Sequence, residues 1–138
     1  MHAPERLDGL RIVASPEALE HAYYEGDVVV LRIAQDEVFA IGAVAVEVPD
    51  EHAIVERETA FVGWGLSTPE FDRLIARHVE WQLPAHRPSL AQGLAAGLPI
   101  KLWLEHDGVL LIVSSGFAHE AAARFRLPEF QHETGPRA

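Results

Sequence analysis

Residues 67–81, STPEFDRLIARHVEW, carry the clearest helical signal in the chain, and the segments on either side have strand character. Phe71, Leu74, Ile75, His78 and Val79 recur at i, i+3, i+4, i+7 and i+8, which draws one apolar stripe along a helix. Ser67 and Glu70 have the spacing of a capping box, and Pro69 suits the first turn. A helix with a single apolar stripe must lie on something, and the neighbouring runs supply a sheet.

Those runs are short and rich in β-branched residues. DVVVLRIA and VFAIGAVAVEV read as two strands joined at QDE, and HAIVERE and AFVGWGL as two more. After QLPAHRP, which Pro84 and Pro88 keep out of helix, the chain reads SLAQGLAAG, LPIKLWLE and GVLLIVSS. EHDG between the last two is a hairpin signal, because Asp-Gly suits a turn that needs positive φ. Two further helices are expected. SPEALEHAYY starts with Ser15 as cap and Pro16 and Glu17 in the first turn. SGFAHEAAARF has Ser115 as cap and Phe117, Ala121 and Phe125 on one side.

The expected fold class is α+β: an antiparallel β-sheet with helices on one face, in a ferredoxin-like βαββα arrangement over residues 60–126, with two or three strands after the first helix. A helix and strand pair over residues 15–58 precede it. At 138 residues the chain fits a single domain that buries a core without staples, and the polar ends MHAPER and QHETGPRA are expected to fray.

Composition narrows the function classes. Eleven basic residues against 21 acidic ones give a net charge of −10, a field that repels phosphate backbones and anionic lipid. Nucleic acid and membrane surfaces are therefore not expected partners. Cysteine is absent, which excludes disulfides, thiolate nucleophiles and sulfur ligands and fits a reducing, cytoplasmic setting. The opening MHAPERLDGLRIVASP has no basic region followed by an apolar run, so no signal peptide is expected, and no apolar run reaches the roughly 20 residues of a membrane helix.

Chemistry-bearing motifs are scarce. Among eight histidines, His78 and His86 are eight apart around Glu80, His106 precedes Asp107, and His119 precedes Glu120. None has the His-x-x-x-His or His-Glu-x-x-His spacing that converges imidazoles on zinc, so no metal is expected. SSGF (Ser114–Phe117) lies between a strand and a helix but lacks Gly-x-Ser-x-Gly, and a capping role explains its serines. GWG and GLAAG lack phosphate-loop spacing. Glu56 and Glu58 share one strand face, which reads as solvated rather than as a catalytic pair. The densest cluster is RHVEWQLPAHRP (Arg77–Pro88). Arg77 and His78 suit the negative end of the helix dipole, and the prolines bracket the exit toward the next strand, so the segment reads as a connection first and a ligand rim second.

The order of these elements carries a resemblance. Residues 60–125 have a strand ending in LS, a helix ending near LIARHV, a connection with a polar residue before LP, then RPSLAQG, AGLPIKLWLE, DGVLLIV and a helix opening near SSGFAHE. This string resembles the folate-binding module shared by the glycine-cleavage T-protein and its relatives, and more closely the gamma subunits of heterotetrameric sarcosine oxidases. VVVLRIAQDEVFAIG is similar to a strand pair of those subunits, so the likeness spans about residues 28–126. The T-protein carries a paired acidic stretch in the loop matching AAGLPIK, where this chain has Ile100 and Lys101, and the chain is shorter than those relatives. The resemblance therefore implies a non-catalytic subunit, with no cofactor of its own, that serves assembly around a flavin-bearing amine-oxidase partner. The alternative is a binder of tetrahydrofolate or another small ligand, or an enzyme of one-carbon metabolism. Candidate ligand or partner contacts are His78, Trp81, His86, Arg87 and Trp103, with Trp64 as a further aromatic anchor for a protein partner or a homo-oligomer. No catalytic residue is assigned.

Overall fold

A computed structural model describes residues 3–129. Its first half runs β1 (Glu5–Arg6), β2 (Gly9–Val13), α1 (Pro16–Glu20), β3 (Tyr23–Tyr24), β4 (Val29–Ala34), β5 (Glu37–Ile41), β6 (Val46–Glu47) and β7 (Ile54–Glu58). The second half runs β8 (Phe61–Leu66), α2 (Thr68–Leu74), a 3₁₀ turn (Ala76–His78), β9 (Ser89–Ala95), β10 (Leu98–Leu104), β11 (Val109–Ser114), a second 3₁₀ turn (Ser115–Phe117) and α3 (Ala118–Phe125). The class is α+β with antiparallel sheets, and all three strands after α2 form.

One sheet has the order β1-β8-β11-β10-β9. Alternation along its strands sorts side chains onto two faces. Val62, Trp64, Leu66, Ile100, Leu102, Leu104, Leu111 and Val113 meet Phe71, Leu74, Ile75, Ala121, Ala122 and Phe125 of the helices. Trp64 is fully buried there, and its indole N–H donates to the carbonyl of Pro128 at 2.9 Å. The capping box forms: Ser67 Oγ accepts from the Glu70 N–H at 3.2 Å and Glu70 Oε1 accepts from the Ser67 N–H at 2.9 Å.

The other face of this sheet is covered by a second, four-stranded sheet of order β4-β5-β2-β7. Leu7, Leu31, Phe39 and Ile112 are buried between the two, ringed by Val29, Ile33, Ile41, Phe61, Leu90, Trp103 and Leu110. Burying one such side chain contributes roughly 1.5–3 kcal/mol, so this seam joins the two halves of the chain. Leu10, Ile12, Val38 and Ala40 on the far face of the second sheet pack under Ala18 and Leu19 of α1 and the β3–β6 ribbon. The result is a helix-and-ribbon layer, two sheets and a helix layer.

Several local expectations shift. MHAPER was expected to fray, yet Glu5 and Arg6 pair with Gly63 and Val62 on β8, because that strand offers a free edge. The fate of QHETGPRA lies outside the described residues. The helix from Ser15 stops at Glu20, since Tyr23 and Tyr24 find partners in Glu47 and Val46, and aromatic residues favour strands. VFAIGAVAVEV breaks at Gly42, whose φ of 87° only glycine adopts freely. The α2 helix ends at Leu74 and tightens into i→i+3 bonds, from the His78 N–H to Ile75 O and from the Val79 N–H to Ala76 O. Ser115 is not the cap of the last helix: it lies inside a 3₁₀ turn, Phe117 occupies the cap position, and that phenylalanine is exposed while Ala121 and Phe125 are buried.

Asp50 fastens the start of α1 to the loop that leads into β7. Its carboxylate accepts from the backbone N–H groups of Ser15 and His52, each at 2.9 Å, and these donors hold it below the usual carboxylate range. A lowered folded-state value means a stabilising contribution that is complete above an unfolded pKa of about 3.9 and is lost as pH falls through the folded value. Asp50→Ala is therefore expected to lower the thermal midpoint at pH 7, and the gap to the parent should close as melts are taken toward pH 2. A gap independent of pH would show that the carboxylate charge contributes nothing.

Candidate functional site

The cluster Arg77–Pro88 becomes a connection wrapped over the helix side of the first sheet. His78 lies at its start, partly buried, with its ring edge-on to Phe125 at a centroid separation of 5.3 Å. Its Nε2 is buried without a hydrogen-bond partner, one of two such atoms among the described residues; the other is Tyr24 Oη. Burial also pushes the Tyr24 hydroxyl pKa upward, against the opposing pull of Arg32.

Trp81 is a latch. Its indole Nε1–H donates to the Leu94 carbonyl on β9 at 2.8 Å, and its ring lies over Gly93. A Cβ at Gly93 would come within 2.5 Å of Trp81 Cε2, so glycine is required for the ring to approach the strand. Arg87 spends a guanidinium N–H on the Glu105 carbonyl at 3.0 Å. His86 is exposed, and its backbone carbonyl accepts from Ser89 Oγ at 2.8 Å. Trp103 points the opposite way, into the seam between the sheets, while its strand neighbours Leu102 and Leu104 face the helices. The five candidate contacts therefore do not converge on one cavity. His78 and Trp81 share the helix side, Arg87 and His86 flank the connection, and Trp103 lies across the sheet from them.

A polar constellation that the motifs did not mark is assembled at the seam. Arg11 on β2 donates from Nε and Nη2 to the two carboxylate oxygens of Glu37 on β5, at 3.1 and 3.4 Å, and its Nη1 lies 3.6 Å from Glu56 on β7. The Glu37 hydrogen bonds and charge raise the Arg11 pKa further above its ordinary value. Lys101 on β10 donates to Gln92 Oε1 at 2.8 Å, Gln92 Nε2 donates to the Ile33 carbonyl at 3.0 Å, and the Lys101 ammonium lies 5.5 Å from the centroid of Phe61. Burial pushes the Lys101 pKa down, with Glu37 pulling the other way. The signal was present in LPIKLWLE, where Lys101 alternates out of phase with Ile100, Leu102 and Leu104 and so shares a face with Trp103. What the sequence did not reveal is that this face is covered.

Open depressions mark the surface. One of about 550 Å³ at the end of β8 and the start of β11 is lined by Glu5, Ser67, Glu70, Glu105 and Asp107, among others. Another of about 370 Å³ has Asp8, Gly42, Val44 and Arg57 in its wall. Among the described residues, no group of three His, Asp or Glu side chains is arranged to hold a metal ion, and no helix is long and apolar enough to cross a membrane. No family model, curated protein or solved structure matches this chain.

Two substitutions separate packing from ligand contact. Gly93→Ala forces the indole of Trp81 off β9, with an expected loss of about 1–3 kcal/mol in chemical denaturation and a red shift in tryptophan emission. An unchanged spectrum would show that the latch does not hold. His86→Ala removes an exposed side chain with no bond of its own, and its stability should stay within about 0.5 kcal/mol of the parent in the same denaturation experiment.

Proposed function

We propose that the chain is a non-catalytic assembly or binding module of the sarcosine oxidase gamma type, acting beside a flavin-bearing amine-oxidase partner. One observation carries this reading: three of the five candidate contacts, and the lysine beside them, are committed to the scaffold. Trp81 closes over β9, Arg87 holds the end of β10, Trp103 fills the seam, and the Lys101–Gln92 pair ties the two sheets together. A group already spent on its own backbone is poorly placed to polarise or protonate a substrate. The position of Lys101 is the one where the T-protein likeness would require an acidic pair, and here it holds a cation that bonds within the fold.

The test is co-expression of the full chain with flavin-bearing amine-oxidase subunits from the same genome, followed by light scattering of the purified species. The expected outcome is a stable complex with this chain in fixed ratio, and no thermal shift of the free chain with tetrahydrofolate. A chain that stays alone and is stabilised by tetrahydrofolate would replace this reading with that of a folate binder.

A further inference from the structure

The four outer edges of the two sheets differ in how they are closed. An unpaired strand edge is a row of free N–H and C=O groups that invites another strand, and proteins ordinarily blunt it. On β9, the Trp81 indole occupies the Leu94 carbonyl, and Arg124 donates to the Ala96 carbonyl just beyond at 2.7 Å. On β4, the register slips between Arg32 and Ala34, the Arg32 guanidinium caps the carbonyls of Ala34 and Gln35, and Gln92 takes that of Ile33. β1 is only two residues long. β7 has none of these devices. Its five residues pair with β2 in unbroken register, and among the described residues no side chain bonds to its main chain. Ile54 and Val55, which point to opposite faces, are 50% and 45% exposed.

The charges on β7 select what can join it. Residues directly opposed across an antiparallel pair share a sheet face, so two copies of β7 meeting about a two-fold axis pair residues of equal parity. The register that uses all five residues sets Glu56 against Glu56 and Ile54 against Glu58. Sliding by one pair in either direction leaves only three residues of each strand paired, one way with Arg57 against Arg57 and Glu56 against Glu58, the other with Val55 against Val55 and Ile54 against Glu56. Like charges opposed across strands are destabilising, and each copy also carries a net charge of −10. A strand with cations at alternate positions has the reverse relation: its cations fall opposite Glu56 and Glu58, and an apolar end covers Ile54 and Val55.

We propose that the open edge of β7 is a docking site for an extended, cationic segment of a partner polypeptide, which adds antiparallel as a fifth strand of the second sheet. Main-chain hydrogen bonds supply attachment, and Glu56 and Glu58 with Ile54 and Val55 set register and choice. This rests on the module reading above and names the surface through which such a module is held.

The experiment titrates full-length protein with a fluorescein-labelled peptide, Thr-Lys-Glu-Lys-Val-Val-Thr, and with its charge-swapped counterpart, Thr-Glu-Lys-Glu-Val-Val-Thr. The first peptide is expected to bind at least about tenfold more tightly, to weaken with added salt, and to slow hydrogen exchange at residues 54–58. The pair Ile54→Lys and Val55→Lys, folded by circular dichroism, should lose that binding. The pair Glu56→Lys and Glu58→Lys should reverse the preference toward the charge-swapped peptide, which mere loss of structure cannot do. Equal binding of the two peptides, protection elsewhere than β7, or a peptide-free dimer with residues 54–58 already protected would each overturn the proposal. If co-expression yields the amine-oxidase complex while exchange at 54–58 is unaltered, the β7 assignment fails and the module reading stands.

Discussion

Everything in this fold depends on the burial of the second face of the five-stranded sheet. Helices α2 and α3 can shield only one side of it. The face carrying Phe61, Leu90, Trp103, Leu110 and Ile112 would otherwise meet water, and a patch of that kind on a monomer marks an association site. The chain covers it with its own first half, through Leu7, Leu31 and Phe39. The hydrophobic effect is non-directional, so the seam needs something else to fix how the sheets lie. The hydrogen bonds from Lys101 to Gln92 and from Gln92 to the Ile33 carbonyl supply that direction.

Committing so many polar and aromatic groups to structure has a functional side. Residues that resemble a catalytic inventory in one dimension become fasteners in three. The Trp81 latch and the Arg87 contact both act on strand ends or edges, where an unpaired carbonyl would otherwise face solvent or a neighbouring molecule. That use of the side chains is the support for the assembly-module role proposed above.

How much of this was legible depended on whether the deciding partner lay nearby in sequence. The Ser67–Glu70 capping box and the Ser15 cap are local bargains between neighbours and form as the spacing implies, and the hairpin at EHDG forms too, though neither Asp107 nor Gly108 takes the positive φ expected of that turn. Alternation placed Lys101 and Trp103 on one strand face. It could not say that Leu31 and Phe39, far off in the chain, would cover that face. Glu5 and Arg6 look like a polar tail until β8 offers an edge, and the tyrosine pair looks helical until β6 arrives. The five candidate contacts were chosen by residue type, and type alone does not reveal that Trp103 points through the sheet away from Trp81. Ser115 had the chemistry of a cap, but the chain turns earlier than the helix begins.

The corner where the two sheets meet has a consequence for how the chain reaches this state. β1 leads into β2 through Leu7 and Asp8, and β7 into β8 through Thr59 and Ala60, so one long antiparallel ladder bends from one sheet into the other. Glu5 of its first strand segment must wait for Gly63, its partner on β8. Contacts of such long separation in sequence are slow to form, because loop closure must precede any reward. The N-terminal half is thus expected to wait, partly paired, for the residues that complete it. The β2–β7 part of the ladder can close before the β1–β8 part, because β7 precedes β8 in the chain.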